Sequence, residues 1–303
     1  MRLKIGGYQG DGSVHTRGLR KFVEALGSDL PNLGIDLQID VTADGMPANA
    51  LFAGVEDGTF DICYMASGYL SARVPVLELL DVPFSVTDRG RALSGLDGAV
   101  GEVLRRQVAE VTGLHVLGFW DNGFRHVSNH VHPIRRPADC AGLVIRTLNN
   151  RCYVDLLREL GFQPVITDVK ELVAKVRSGD VDAQENPLTN LVNFRLHKYH
   201  RHVSITSHIF GIVLFVVNGA WWNALDDAGR AAVSRAAAAA TGVQRRASVE
   251  DDDAMISILE QDGVEVLQPA ELEMAAFREA GSRSSRAMRE RLPQPLRDAY
   301  LQA

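Results

Sequence analysis

Arg146 follows an apolar run, Leu143-Val144-Ile145, that reads as a buried strand. In α/β proteins such a strand delivers its next residue to a crevice at the carboxyl end of the sheet. A guanidinium there must be paired, because an isolated buried charge is too costly, and its planar fork of donors matches a carboxylate two bonds at a time. The stretch alone leaves two readings open: a bound anionic ligand, or an internal salt bridge to an Asp or Glu. Asn122-Gly123-Phe124-Arg125 places a second cation on a turn-like stretch. In Asn186-Pro187, proline fits the first position of a helix and Asn186 its N-cap, beside free backbone N–H donors that favour an anion. His15 stands at the mouth of a glycine-rich loop, either facing a ligand or bonding its own helix start. Tyr64, Tyr69, Trp120, Phe124 and Phe210 would suit a ring, and His15, Asn122, Asn149 and His208 could hydrogen-bond hydroxyl or keto groups.

Hydrophobic spacing supplies the elements to hold these residues. Leu3 to Ile5 opens a strand, and the loop Gly6 to Ser13 leads to a helix with Leu19, Phe22, Val23 and Leu26 on one face. Ile35, Leu37, Ile39 and Val41 alternate with polar residues, as a half-solvated strand does. A helix at about 47–57 is closed by Gly58 and followed by a strand at 60–64. That pattern, Val55 to Asp61, is echoed at Val176 to Asp182, and two lobes of similar construction are the natural inference. Pro75 and Pro83 exclude a regular helix through 67–84, and a helix around Leu93 to Val108 leads to a strand at 115–120. Strands are expected at 143–145, 164–167, 181–184 and 209–217, with helices at 151–160 and 169–177. The stretch 226–261 is helix-forming almost throughout, roughly 50 Å if unbroken, with Gly242 a candidate kink.

Composition narrows the class. The chain has 303 residues, 46% hydrophobic and 23% charged, ordinary globular values and enough for two domains. A net charge of -6, with basic residues clustered only in pairs such as Arg135-Arg136, argues against nucleic acid. No apolar run reaches the roughly 18 residues that a membrane helix needs, so no direct membrane insertion is expected. Cys63, Cys140 and Cys152 have no metal-ligand spacing; zinc is not expected, and buried free thiols are the commoner state, with a Cys140–Cys152 bridge as the alternative.

Four motifs in register, Asn-Gly-Phe-Arg ending at Arg125, Gly-Leu-Val-Ile-Arg ending at Arg146, Asp-Ala-Gln-Glu-Asn-Pro-Leu from Asp182, and the long late helix, resemble the solute-binding proteins of tripartite ATP-independent periplasmic (TRAP) transporters, the family named after the dicarboxylate-binding component. The resemblance covers essentially the whole chain. It implies an α/β fold, a two-lobed clamshell of periplasmic-binding-protein type with a long helix spanning both lobes. The expected division is 1–123 plus about 208–245 in one lobe and 124–207 plus about 246–303 in the other, with hinge strands near 120–123 and 207–211. It further implies a small organic acid held unchanged between the lobes, no cofactor, and delivery to membrane permease subunits. Arg146 would contact the ligand carboxylate bidentately, Asn186 would complete that contact, and Arg125 would support the pocket. An aliphatic Val169 and the lack of an acid near Ala66 and Ser67 depart from the sialic-acid-binding members; uronic, hydroxy, keto and aromatic acids are the remaining classes. A periplasmic location is implied, with the leader absent from this sequence. The alternatives are a cytoplasmic α/β enzyme acting on a small carboxylic acid, with His15, His126 or His208 as base, and the effector-binding half of a regulator. No Walker, dinucleotide or Gly-x-Ser-x-Gly fingerprint supports the former.

Overall fold

The computed structural model describes residues 2–301. It begins with β1 (Arg2–Gly6), α1 (Val14–Asp29), β2 (Gly34–Gln38), α2 (Leu51–Glu56) and β3 (Ile62–Ala66). Helices α3 (Arg89–Asp97) and α4 (Ala99–Thr112) lead into the long β4 (Leu114–Asn129). Next come β5 (Val144–Thr147), α5 (Arg151–Glu159), β6 (Gln163–Ile166), α6 (Val169–Ser178), β7 (Ala183–Pro187) and α7 (Leu188–Asn193). The chain returns through β8 (His202–Asn218), α8 (Gly219–Ala224), α9 (Asp227–Gln261), β9 (Glu265–Leu267), α10 (Met274–Arg291) and α11 (Gln294–Tyr300).

The strands run β2-β1-β3-β8-β4-β7-β5-β6, with β9 added to β8. Two three-stranded parts of the sheet repeat one another. β1 lies between β2 and β3 as β5 lies between β6 and β7, and the central strands are parallel to their nearest neighbours in both. Register agrees too: Ile5 opposes Ile62, and Ile145 opposes Ala183. The echo in sequence has a physical cause. Gly58 and Gly179 end their helices in the left-handed region, at φ 83° and 77°, where a side chain would be strained. The aspartate three residues on then accepts a backbone N–H from the central strand, Asp61 from Lys4 at 2.7 Å and Asp182 from Val144 at 2.8 Å. Strand β3 starts at Ile62 rather than 60, because the Phe60 N–H is held by the Gly54 carbonyl at the end of α2. β7 likewise starts at Ala183 and runs on to Pro187.

β4 and β8 join the two parts, making the sheet a two-lobed one. The last residues of β8 pair with β3, while the last of β4 pair with β7. Their mutual ladder is antiparallel and irregular between Asp121 and Gly123 and between Arg125 and Val127, where Gly123 has φ 87° and Ser207 φ 45°. α9 runs as one helix through Gly242. Ala232, Ala236, Ala237 and Ala240 are buried on it, small enough for close packing against α1, and Arg17–Asp251 and Arg235–Asp29 pairs fix the two helices. A large apolar core runs along the whole sheet, from Leu3 and Ile62 to Ile145 and Leu156, and a second cluster around Leu172, Leu191, Val203 and Leu259 packs α6, α7 and α9 together. All three cysteines are free and buried.

Candidate functional site

β5 carries Arg146 into the interior: its side chain is among the largest fully buried ones, at 1% exposure. Its Nε and Nη2 donate to the Thr167 carbonyl, at 2.9 and 2.5 Å, and among the described residues no carboxylate lies within ion-pair distance. The guanidinium is therefore positioned by backbone but not neutralised. It borders a small cavity of about 20 Å³. Arg125, Asn122, Asn186 and Asn190 supply polar walls; Tyr8 and Tyr69 present rings, and Ala66, Leu148, Val169 and Phe194 complete an apolar side. Burial raises the Tyr69 phenol, and the Arg146 charge pulls it back, which places that ring beside the guanidinium. In a larger hollow elsewhere, Arg245 and Arg105 are paired to Asp97 and Glu102.

Arg125 has the opposite fate. Its Nε is bonded to Glu185 Oε2, and its Nη2 donates to Glu185 Oε1 at 2.9 Å and to the Glu185 carbonyl at 2.7 Å. Both side chains are buried, at 4% and 0% exposure. Burial alone would push Arg125 down and Glu185 up, and their pairing reverses both shifts. Thr147 Oγ1 at 2.9 Å and His208 Nε2 at 3.4 Å complete the Glu185 shell, and the Arg125 guanidinium lies over the Tyr153 ring. Amides continue outward: Asn186 Nδ2 donates to Gln184, Asn190 Nδ2 donates to Asn186, and Gln9 Nε2 donates to Asn190 at 3.2 Å. That last bond crosses from the loop after β1 to α7, so it links the two parts of the sheet. Asp168 does the same at the rim: it caps α6 through Lys170 N–H and accepts the N–H groups of Ala48 and Asn49 at 3.2 and 3.3 Å.

The family model for bacterial extracellular solute-binding proteins of family 7 matches residues 6–291. This chain belongs to that family, the TRAP solute receptors. The 2,3-diketo-L-gulonate-binding periplasmic protein YiaO of Escherichia coli K12 is 33% identical over 233 residues, 77% of this chain and 70% of its own. Among solved structures, the TRAP solute-binding protein of Polaromonas sp. JS666 bound to D-erythronate is 27% identical with a TM-score of 0.92, covering 99% of this chain and 98% of its own. The one from Roseobacter denitrificans with bound β-D-glucuronate is 25% identical with a TM-score of 0.93, covering 100% and 99%. TRAP solute receptors are periplasmic proteins, and among the described residues no helix is long and apolar enough to cross a membrane.

Of the residues singled out from sequence in this TRAP receptor, Arg146, Arg125, Asn186, Asn122 and Tyr69 line the cavity. His15, Tyr64, Trp120 and His208 stand behind it. His15 Nε2 bonds Asn122 Oδ1 at 2.9 Å while its Nδ1 faces the Gln244 amide, and its ring lies against Tyr64 and parallel to Trp120. Burial lowers the His15 pKa to about 4, so the ring is neutral and orients Asn122. Trp120 donates to Thr241 on α9. Three expectations are corrected. Phe124 and Phe210 oppose each other across β4 and β8 on the far side of the sheet from Arg125, beneath the Arg89 guanidinium, because successive strand residues face opposite ways. Asn149 is exposed, and its neighbour Asn150 is the inward residue, capping α5 and donating to Asp81 at 2.7 Å. Asn186 caps no helix: β7 runs one residue further, so Pro187 takes the cap position and Asn186 spends its amide within the site. Sequence reasoning missed Tyr8, Asn190, Phe194 and the role of Glu185. Spacing could have raised Asn190, four residues after Asn186 on a short helix; Tyr8 and Phe194 come from loops without periodicity.

Proposed function

We propose that this TRAP receptor binds a small organic acid between its lobes, with the ligand carboxylate on Arg146, and hands it unchanged to the membrane permease in the periplasm. The carrying observation is a fully buried guanidinium that has no carboxylate partner among the described residues and borders a cavity. Such a charge is stabilised by an anion that arrives with the ligand. Asn186 and Arg125 flank that position, and Asn122, Asn190 and Tyr69 offer hydrogen bonds to hydroxyl or keto groups. The relatives whose bound ligands are D-erythronate and β-D-glucuronate support the class. In this reading residues 1–123 with about 208–245 form one lobe and 124–207 with about 246–303 the other. They hinge at the irregular ladder around Gly123 and Ser207. The test is titration calorimetry with D-erythronate and D-glucuronate on the unaltered protein and on Arg146→Lys. Lysine keeps the charge but cannot offer two parallel donors, so a loss of about 2 kcal/mol is expected. Equal affinity in both proteins would sink the reading, and chemical conversion of the recovered acid would replace the receptor by an enzyme.

A further inference from the structure

The charges around the cavity narrow the ligand further than "organic acid". Resting on the reading that Arg146 receives a carboxylate, we propose that the site accepts hydroxylated or keto acids with a single negative charge and rejects diacids, and that Glu185 sets this limit by cancelling Arg125.

Among the described residues, only two formally charged side chains line the cavity, and both are arginines. Arg125 is engaged by Glu185 through three donor contacts and both groups are shut off from water, so that pair contributes no net charge. Arg146 is held by a backbone carbonyl with the neutral Tyr69 hydroxyl beside it, neither of which carries a charge. The histidines nearest the site add nothing: burial lowers both His15 and His208, which stay neutral around pH 7. Asp81, the next buried carboxylate, lies outside the cavity lining; burial raises it to about 7, and Asn150 donates to it. The enclosed site thus carries one uncompensated positive charge. One carboxylate balances it. A second carboxylate would meet amides and phenols, or would have to draw Arg125 away and leave Glu185 buried and unpaired; either course carries the penalty of an uncompensated charge in a dry interior. Neutral hydroxyl and keto groups have no such penalty, because Asn186, Asn190 and Asn122 can both donate and accept. Leu148, Val169 and Phe194 give the carbon skeleton an apolar wall.

Two pairs, each a monoacid and the diacid made by oxidising its other end, test this on the whole chain by calorimetry: D-erythronate against meso-tartrate, and D-glucuronate against D-glucarate. The expected result is that each diacid binds on the order of 100-fold more weakly than its partner. Monomethyl meso-tartrate, which restores a single charge on the same skeleton, should regain most of the loss. In Glu185→Gln the Arg125 charge is released, and the gap within each pair should close by roughly 10-fold. A diacid that matches its monoacid on the unaltered protein overturns the charge count and leaves Arg146 as carboxylate receptor. If no acid of either pair binds at millimolar concentration, the Arg146 reading falls and the proposal with it. A folded Glu185→Gln protein that keeps the full gap removes Glu185 from the explanation. If that variant does not fold, the methyl ester on the unaltered protein decides, and an ester as weak as the diacid overturns the proposal.

Discussion

Arg125 and Arg146 are both buried, yet they should answer mutation with opposite signs. Removing Arg125 strands Glu185 in an apolar interior, so Arg125→Met should destabilise the unliganded protein by roughly 3–5 kcal/mol. Removing Arg146 takes away a charge that has no counter-ion, so Arg146→Met should leave the unliganded melting temperature unchanged or raise it while abolishing acid binding. Thermal melts of the two variants check the pair, and a large destabilisation by Arg146→Met would mean that the guanidinium is neutralised structurally. The sequence could place Arg146 because a short apolar strand points to the residue at its carboxyl end. It could not say which arginine Glu185 pairs with. That choice spans 60 residues of chain and depends on β4 meeting β7 in a register where Arg125 opposes Pro187. The aromatic pair Phe124 and Phe210 failed for a related reason: residue type survives in the sequence, but which sheet face a side chain takes in an irregular ladder does not.

At the scale of elements, closure rests on helix ends meeting loops across the cleft. Asp168 serves α6 as N-cap and at the same time holds two backbone N–H groups of the 48–50 turn in the other lobe. Lys170 reinforces the rim through the Gly45 carbonyl at 2.7 Å. Asp168→Asn keeps a capping oxygen, so α6 should lose little, whereas the charge-assisted bonds across the cleft weaken. The expected outcome is about 1 kcal/mol less affinity, close to a fivefold rise in Kd, carried by faster dissociation and with the unliganded melt almost unmoved. Stopped-flow release of a bound sugar acid measures this, and an unchanged off-rate would show that these bonds do not favour the closed form. The capping role itself was open to sequence reading: Asp168 precedes a clean helical period with a glycine at its far end. The second role was not, because nothing local in 45–50 points to a partner 120 residues away.

For the whole molecule, the two sheet parts joined by β4, β8 and α9 imply a smaller radius of gyration with ligand than without, provided that ligand favours the closed form; identical scattering curves at saturation would count against hinge closure. The repeat legible in sequence at Val55–Asp61 and Val176–Asp182 foretold the two parts, since each needs the same left-handed glycine and the same aspartate clamp. Buried titratable groups set how the assembled fold responds to acid. Burial lowers His15 to about 4, His126 and His200 to about 3, and His208 as well, so below the ordinary 6.5 the unfolded chain takes up protons that the folded one refuses. Each of these groups contributes stability above its unfolded pKa that is lost as the pH falls toward the folded value. Burial raises Asp81 to about 7, Asp252 to about 6, and Asp121 as well, and these act the other way: the folded chain holds their protons first, adding stability as the pH falls. With His115, which burial also lowers, five histidines stand against three aspartates, so the unfolded chain carries an excess of protons between pH 6 and 4. Stability should therefore fall as the pH drops across that window, and more steeply below the ordinary glutamate range, where Glu185, held low by Arg125 despite its burial, joins the histidines. Denaturant midpoints at pH 7, 5.5 and 4.5 measure the slope, and a protein that grows more stable toward pH 4.5 would show that the aspartates, not the histidines, dominate its interior.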